Sequence, residues 1–133
     1  MRKLIVITGV IGILSIGSCV KDTTVIIPKS ATAVVITKTV SFKTDLVPLF
    51  KSSCALSGCH VTGAHTPDLE AEDAYNALMN GNFIDKATPA DSKVYERLTG
   101  KLTPGMPLNA PGSDPGNINE LLLAWIKQGA KNN

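Results

Sequence analysis

The chain has 133 residues, room for one domain or a domain plus a tail. It carries 13 basic and 11 acidic side chains, a formal net charge of +2. That balance argues against nucleic-acid binding, which wants a basic face, and Arg2 and Lys3 at the start account for the whole excess.

Met1-Arg2-Lys3 opens the chain with positive charge, and residues 4–17 form an apolar run of 14 without a charge. Ile16-Gly17-Ser18-Cys19 follows. A basic start, an apolar run and small residues before a cut site predict a secretory signal, and the cysteine directly after predicts its lipoprotein form. Cleavage is expected before Cys19, which then carries lipid. The bland alternative is a plain signal peptide or a membrane helix with an incidental cysteine, but the run is short of the ~20 residues a span needs. At least two acyl chains on Cys19 suffice for stable anchoring. The expected location is a bacterial cell envelope, lipid-anchored, periplasm-facing or at the outer membrane. Residues 1–18 are thus the signal peptide, and the remainder is formally neutral, with 11 basic against 11 acidic side chains.

Residues 19–40 are rich in Thr, Val, Ile, Lys and Ser, are broken by Pro28 and show no helical periodicity. They read as a tether, with a short strand over 33–37. The compact domain is expected over 41–133. Thr44 is placed to cap a helix over 45–52, with Leu46, Leu49 and Phe50 on one face and Pro48 in the opening turn. The Gly- and Pro-containing stretch 54–67 reads as loop. A helix follows over 70–80, with Ala71, Ala74, Tyr75, Leu78 and Met79 as its stripe and Gly81 as its stop. The next spans 92–99, capped by Asp91 or Ser92, with Val94, Tyr95 and Leu98 inward and Gly100 at its end. Residues 101–116 form a long loop. Asn117 is expected to cap a last helix over 118–128, facing inward with Ile118, Leu121, Leu122, Trp125 and Ile126 and stopped by Gly129. The fold class is therefore all-α, a few short helices with few aromatic residues. So small a core is marginal alone, and a large apolar cofactor at its centre makes good the shortfall.

The chemistry concentrates in Cys54-Ala55-Leu56-Ser57-Gly58-Cys59-His60. Two cysteines at fixed spacing can add to the two vinyl groups of a haem as thioethers, and a histidine directly after the second then supplies the proximal nitrogen. The common spacing is C-x-x-C-H; four residues intervene here, a less usual variant, and Gly58 lets the longer loop fold tightly. Three other readings of the pair stay open. A Cys54–Cys59 disulfide leaves His60 idle. A zinc site could draw on Cys54, Cys59, His60 and His65, although zinc ligands are normally spaced apart. A thiol redox motif wants C-x-x-C.

An electron carrier needs a second axial ligand, and methionine opposite histidine suits electron transfer. Beyond the signal there are two methionines. Met79 fits a helical core stripe; Met106, between Pro104-Gly105 and Pro107, stands on a stiffened loop as a presented ligand. The alternative for Met106 is a gap-filler. His65, five residues from His60, reads as a solvent-facing loop residue.

The chain resembles the class I cytochrome c family, and most closely the planctomycete-type cytochrome c domain of bacterial envelope proteins. The residues that carry the resemblance are Leu49-Phe50, Cys54, Cys59-His60, Ser92-Lys93-Val94-Tyr95-Glu96-Arg97-Leu98, Gly105-Met106-Pro107 and the segment from Leu122 to Ala130. It covers about residues 42–130; the departure is the wider cysteine spacing. The resemblance implies a small helical domain around one haem, with an aromatic one turn before the first cysteine packed on the C-terminal helix: Phe50, with Trp125 as its partner.

The expected function is single-electron transfer by one covalent c-type haem held by Cys54 and Cys59 and ligated by His60 and Met106. With both axial positions filled, no enzymatic role is expected. The expected partners are a redox protein donor and acceptor in the envelope and the membrane that holds the lipid, with no nucleic acid. A five-coordinate haem sensor or enzyme is the rival within haem chemistry, and a haem-free lipoprotein with a disulfide or zinc site is the rival outside it.

Overall fold

The computed structural model describes residues 36–133. The signal peptide, Cys19 and most of the tether lie outside the described residues, as does the greater part of the expected strand. The described residues form a helical domain without strands. No helix among them is long and apolar enough to cross a membrane.

The first helix starts earlier than the sequence predicts. Its cap is Ser41, whose Oγ accepts the Thr44 N–H, while Asp45 Oδ2 accepts the Ser41 N–H in return at 2.8 Å. Two donors at the helix start are thereby satisfied reciprocally, in the manner of a capping box. A π-helical turn, Phe42–Leu46, runs straight into α1, Val47–Ser53. Pro48 has no N–H to offer the carbonyl one turn back, and the wider turn falls just before this gap. Phe42, Leu46 and Phe50, each four apart, are all buried. Including Phe42 in that stripe explains why the helix extends upstream of Thr44.

Helix α2, Ala74–Asn80, is shorter than expected. Residues 71–73 are turn, and Ala71 is exposed. The start is displaced because Glu70 is tied backwards: its N–H donates to Asp68 Oδ1, and its carboxylate accepts from the Thr62 N–H and hydroxyl. Gly81 ends the helix for want of space rather than for a left-handed turn. Its φ is −81°, and a Cβ there would lie 2.5 Å from the Phe83 ring. Helix α3, Lys93–Leu98, buries Val94 and Leu98, and Gly100 follows with φ +75°. Ser92 precedes it but does not cap it through its side chain. The buried hydroxyl instead accepts the Asp85 N–H.

Helix α4, Ile118–Lys127, buries Ile118, Leu122, Trp125 and Ile126, four of its five expected inward residues; Leu121 is half-buried. Asn117 is left-handed and makes no side-chain cap; Asp114 Oδ1 accepts the Asn119 N–H in its place. Trp125 anchors the core and donates from Nε1 to the Lys131 carbonyl. Its ring meets Phe42 at 5.0 Å, and Phe50 meets Phe42 at 6.0 Å. The ring nearest Trp125 is thus Phe42, with Tyr75 edge-on at 6.3 Å, and not the expected Phe50. Full burial of such side chains contributes about 1.5–3 kcal/mol each.

The packed body also takes in part of the segment assigned to the tether. Val40 is buried, its N–H donates to Gln128 Oε1, and Gln128 Nε2 donates to the Lys38 carbonyl. Asn133 Oδ1 accepts the Phe42 N–H, which fastens residues 38–43 along 128–133.

Candidate cofactor site

Helix α1 delivers Cys54. The Phe50 carbonyl accepts both the Cys54 and the Ala55 N–H at 2.8 Å, which closes the helix and turns the chain. Cys59 N–H then donates to Leu56 O at 2.8 Å, and Gly58 takes φ +78° inside that turn. This is the freedom expected of it, because a side chain at that φ is strained. His60 N–H returns to the Cys54 carbonyl at 3.1 Å, so the two ends of the C-x4-C-H segment are joined.

The imidazole of His60 is fixed from one side. Its Nδ1 lies 2.9 Å from the Pro67 carbonyl oxygen and 3.2 Å from that of His65. Carbonyls only accept, so Nδ1 must carry the proton, and in the neutral ring Nε2 keeps its lone pair. The loop that presents these carbonyls is itself held: His65 N–H donates to Cys59 O at 3.0 Å, and Leu69 N–H to His60 O at 2.8 Å. His65 is exposed, as expected, and contributes its backbone.

Both cysteines are free thiols, Cys54 half-buried and Cys59 exposed. Burial, and then the neighbouring Cys59, push the Cys54 thiol up to about 11. Cys54 and Ala55 pack against the buried cluster from its edge. No group of three or more His, Cys, Asp or Glu side chains suited to a metal ion forms among the described residues.

Met106 lies on the loop after α3. It is half-buried against the core, and its N–H donates to the Arg97 carbonyl at 2.8 Å. Arg97 also reaches over the loop, its Nη1 donating to the Pro104 carbonyl at 2.9 Å. Met79 packs in the core edge from α2, as its position in the stripe predicts. The exposed large apolar side chains among the described residues are Leu56, within the cysteine segment, and Leu108, two residues past Met106.

Structure thus brings Cys54, Cys59 and His60 into one hydrogen-bonded loop and gives Met106 its own brace. Two participants were not identified as such from sequence. Pro67 acts through a backbone carbonyl, which leaves no trace in residue type. Arg97 had a signal, its place one turn before the methionine loop, but its contact depends on how that loop folds back.

No protein-family model, curated protein or solved structure matches this chain.

Proposed function

We propose that this chain is a single-electron carrier with one covalent c-type haem, ligated by His60 and Met106 and held in a bacterial envelope by lipid on Cys19. The observation that carries the reading is the His60 ring. Directly after Cys59 stands an imidazole whose Nδ1 proton is engaged by Pro67 O, leaving Nε2 as the metal-binding nitrogen. The remaining residues fit the same group. Cys54 and Cys59 are free to form thioethers, and Met106 is a soft donor on a braced loop. Leu56 and Leu108 are apolar side chains left uncovered in the two loops that would flank a porphyrin.

The bound haem supplies a ferric–ferrous couple that exchanges one electron without bond-making to a substrate. The chain's part is to hold that couple. The Pro67 carbonyl orients the His60 ring and fixes which nitrogen is free to bind. Met106 would be the second protein ligand to the iron, and its sulfur would favour transfer of electrons over binding of a small ligand. The sulfurs of Cys54 and Cys59 prevent loss of the group, and a lipid on Cys19 keeps it near membrane-bound donors and acceptors.

The test is a pyridine haemochrome spectrum together with denaturing mass spectrometry, on protein made where haem maturation operates. One haem mass retained through acid extraction, and lost when both cysteines become alanine, is expected. A colourless product of bare polypeptide mass sinks the reading.

A further inference from the structure

The loop that carries Met106 has few means of holding itself. Between Lys101 and Asp114 lie twelve residues without a charged side chain, so no ion pair can fasten it from within. Pro104, Pro107 and Pro111 remove three backbone donors from the same stretch. Arg97 supplies what the loop lacks. Its carbonyl accepts the Met106 N–H at 2.8 Å and its Nη1 donates to the Pro104 carbonyl at 2.9 Å, so one residue grips the loop on both sides of Gly105. Gly105 allows the close fold: a Cβ there would stand 3.3 Å from Pro111 Cβ and 3.4 Å from Gly100 Cα.

The grip has a firm base. Arg97 lies in α3 between Val94 and Leu98, both buried, so its backbone is fixed to the core. Among the described residues Arg97 forms no salt bridge, while its acidic neighbours Asp91 and Glu96 are each paired with Lys101 at 3.0 Å. A charged donor on a neutral carbonyl is stronger than an ordinary hydrogen bond.

We propose that Arg97 is a positioning residue for Met106: its carbonyl and its guanidinium clamp the loop so that the thioether stays at the iron. The proposal rests on the haem reading above. A lysine at 97 offers a single mobile ammonium and reproduces the clamp only in part. A glutamine keeps the helix and the carbonyl at 97 but removes the charged grip, leaving the Met106 N–H bond to open more often.

The experiment compares haem-loaded wild type with Arg97→Gln, Arg97→Lys and Met106→Ala. Imidazole, which competes with the methionine sulfur for ferric iron, is the probe. Arg97→Gln is expected to bind it about fivefold more tightly than wild type, the effect of one hydrogen bond, and to show a weakened methionine–iron charge-transfer band. Arg97→Lys is expected in between, and Met106→Ala tightest and without the band. Amide exchange at Met106, read by mass spectrometry, is expected to quicken about fivefold in Arg97→Gln. Wild-type imidazole affinity, band and exchange in Arg97→Gln, with Met106→Ala shifted, overturn the clamp and leave the haem reading standing. A wild-type protein without thioether haem overturns both.

Discussion

The Nδ1 atom of His60 lies 2.9 Å from the carbonyl oxygen of Pro67, seven residues on. Because the acceptor is a backbone carbonyl, the ring has one tautomer available. In the haem-free chain with the ring neutral, nitrogen-15 correlation spectra are expected to show His60 protonated at Nδ1 and bare at Nε2. The opposite tautomer would remove the main support for metal ligation.

The two thiols differ in reactivity. Cys59 is exposed, whereas burial first and Cys59 second push the Cys54 thiol up to about 11 from 9.0. The thiolate is the reacting form. In the haem-free chain iodoacetamide is therefore expected to label Cys59 first at neutral pH, with Cys54 labelling still climbing as pH rises toward about 11. Equal labelling of both at neutral pH contradicts the burial of Cys54.

The same shift sets a pH dependence of stability. A thiol whose folded value is raised favours folding while the unfolded thiol is protonated, and that contribution is lost as pH rises past the unfolded value toward the folded one. The window runs from 9.0 to about 11. The urea midpoint of the haem-free chain is expected to fall across it, and a Cys54→Ala variant to lose part of that fall. A Cys54→Ala profile superimposable on wild type rejects the assignment.

Met106→Ala in the haem-loaded protein is expected to lower the reduction potential and to open the iron to imidazole, since a methionine opposite histidine raises the potential. Voltammetry on an electrode measures the first and a spectral titration the second. An unchanged potential rejects Met106 as ligand.

Trp125 is 1% exposed, touches Phe42 and donates to Lys131 O. Trp125→Ala is expected to cost about 3–5 kcal/mol in urea unfolding. Gly116→Ala is expected to cost about 1–3 kcal/mol, because φ there is +65° and a Cβ would lie 2.6 Å from Leu49 Cδ2. A neutral Gly116→Ala shows that the turn before α4 moves freely from Leu49.

Much of the helix pattern was legible in residue spacing. Val94 and Leu98 in α3, and Ile118, Leu122, Trp125 and Ile126 in α4, face the core where a 3.6-residue period puts them. Gly100 and Gly129 take the positive φ their places demand, +75° and +101°. These are local matters, decided within a turn or two of chain. The candidate ligands were legible for a similar reason: their residue types and their adjacency are sequence properties, as in Cys59-His60.

What tertiary structure alone decided depends on where distant or unlabelled groups end up. Phe42 rather than Phe50 meets Trp125 because the helix begins a turn early, wrapped against the chain's last residues. Asp114, not Asn117, caps α4, and Ser92 turns its hydroxyl to Asp85, because each side chain found a nearer partner once the loops closed. The Pro67 carbonyl and the Arg97 clamp belong to the same class. Every residue has a carbonyl, so only the folded path of the backbone says which one reaches an imidazole or a guanidinium.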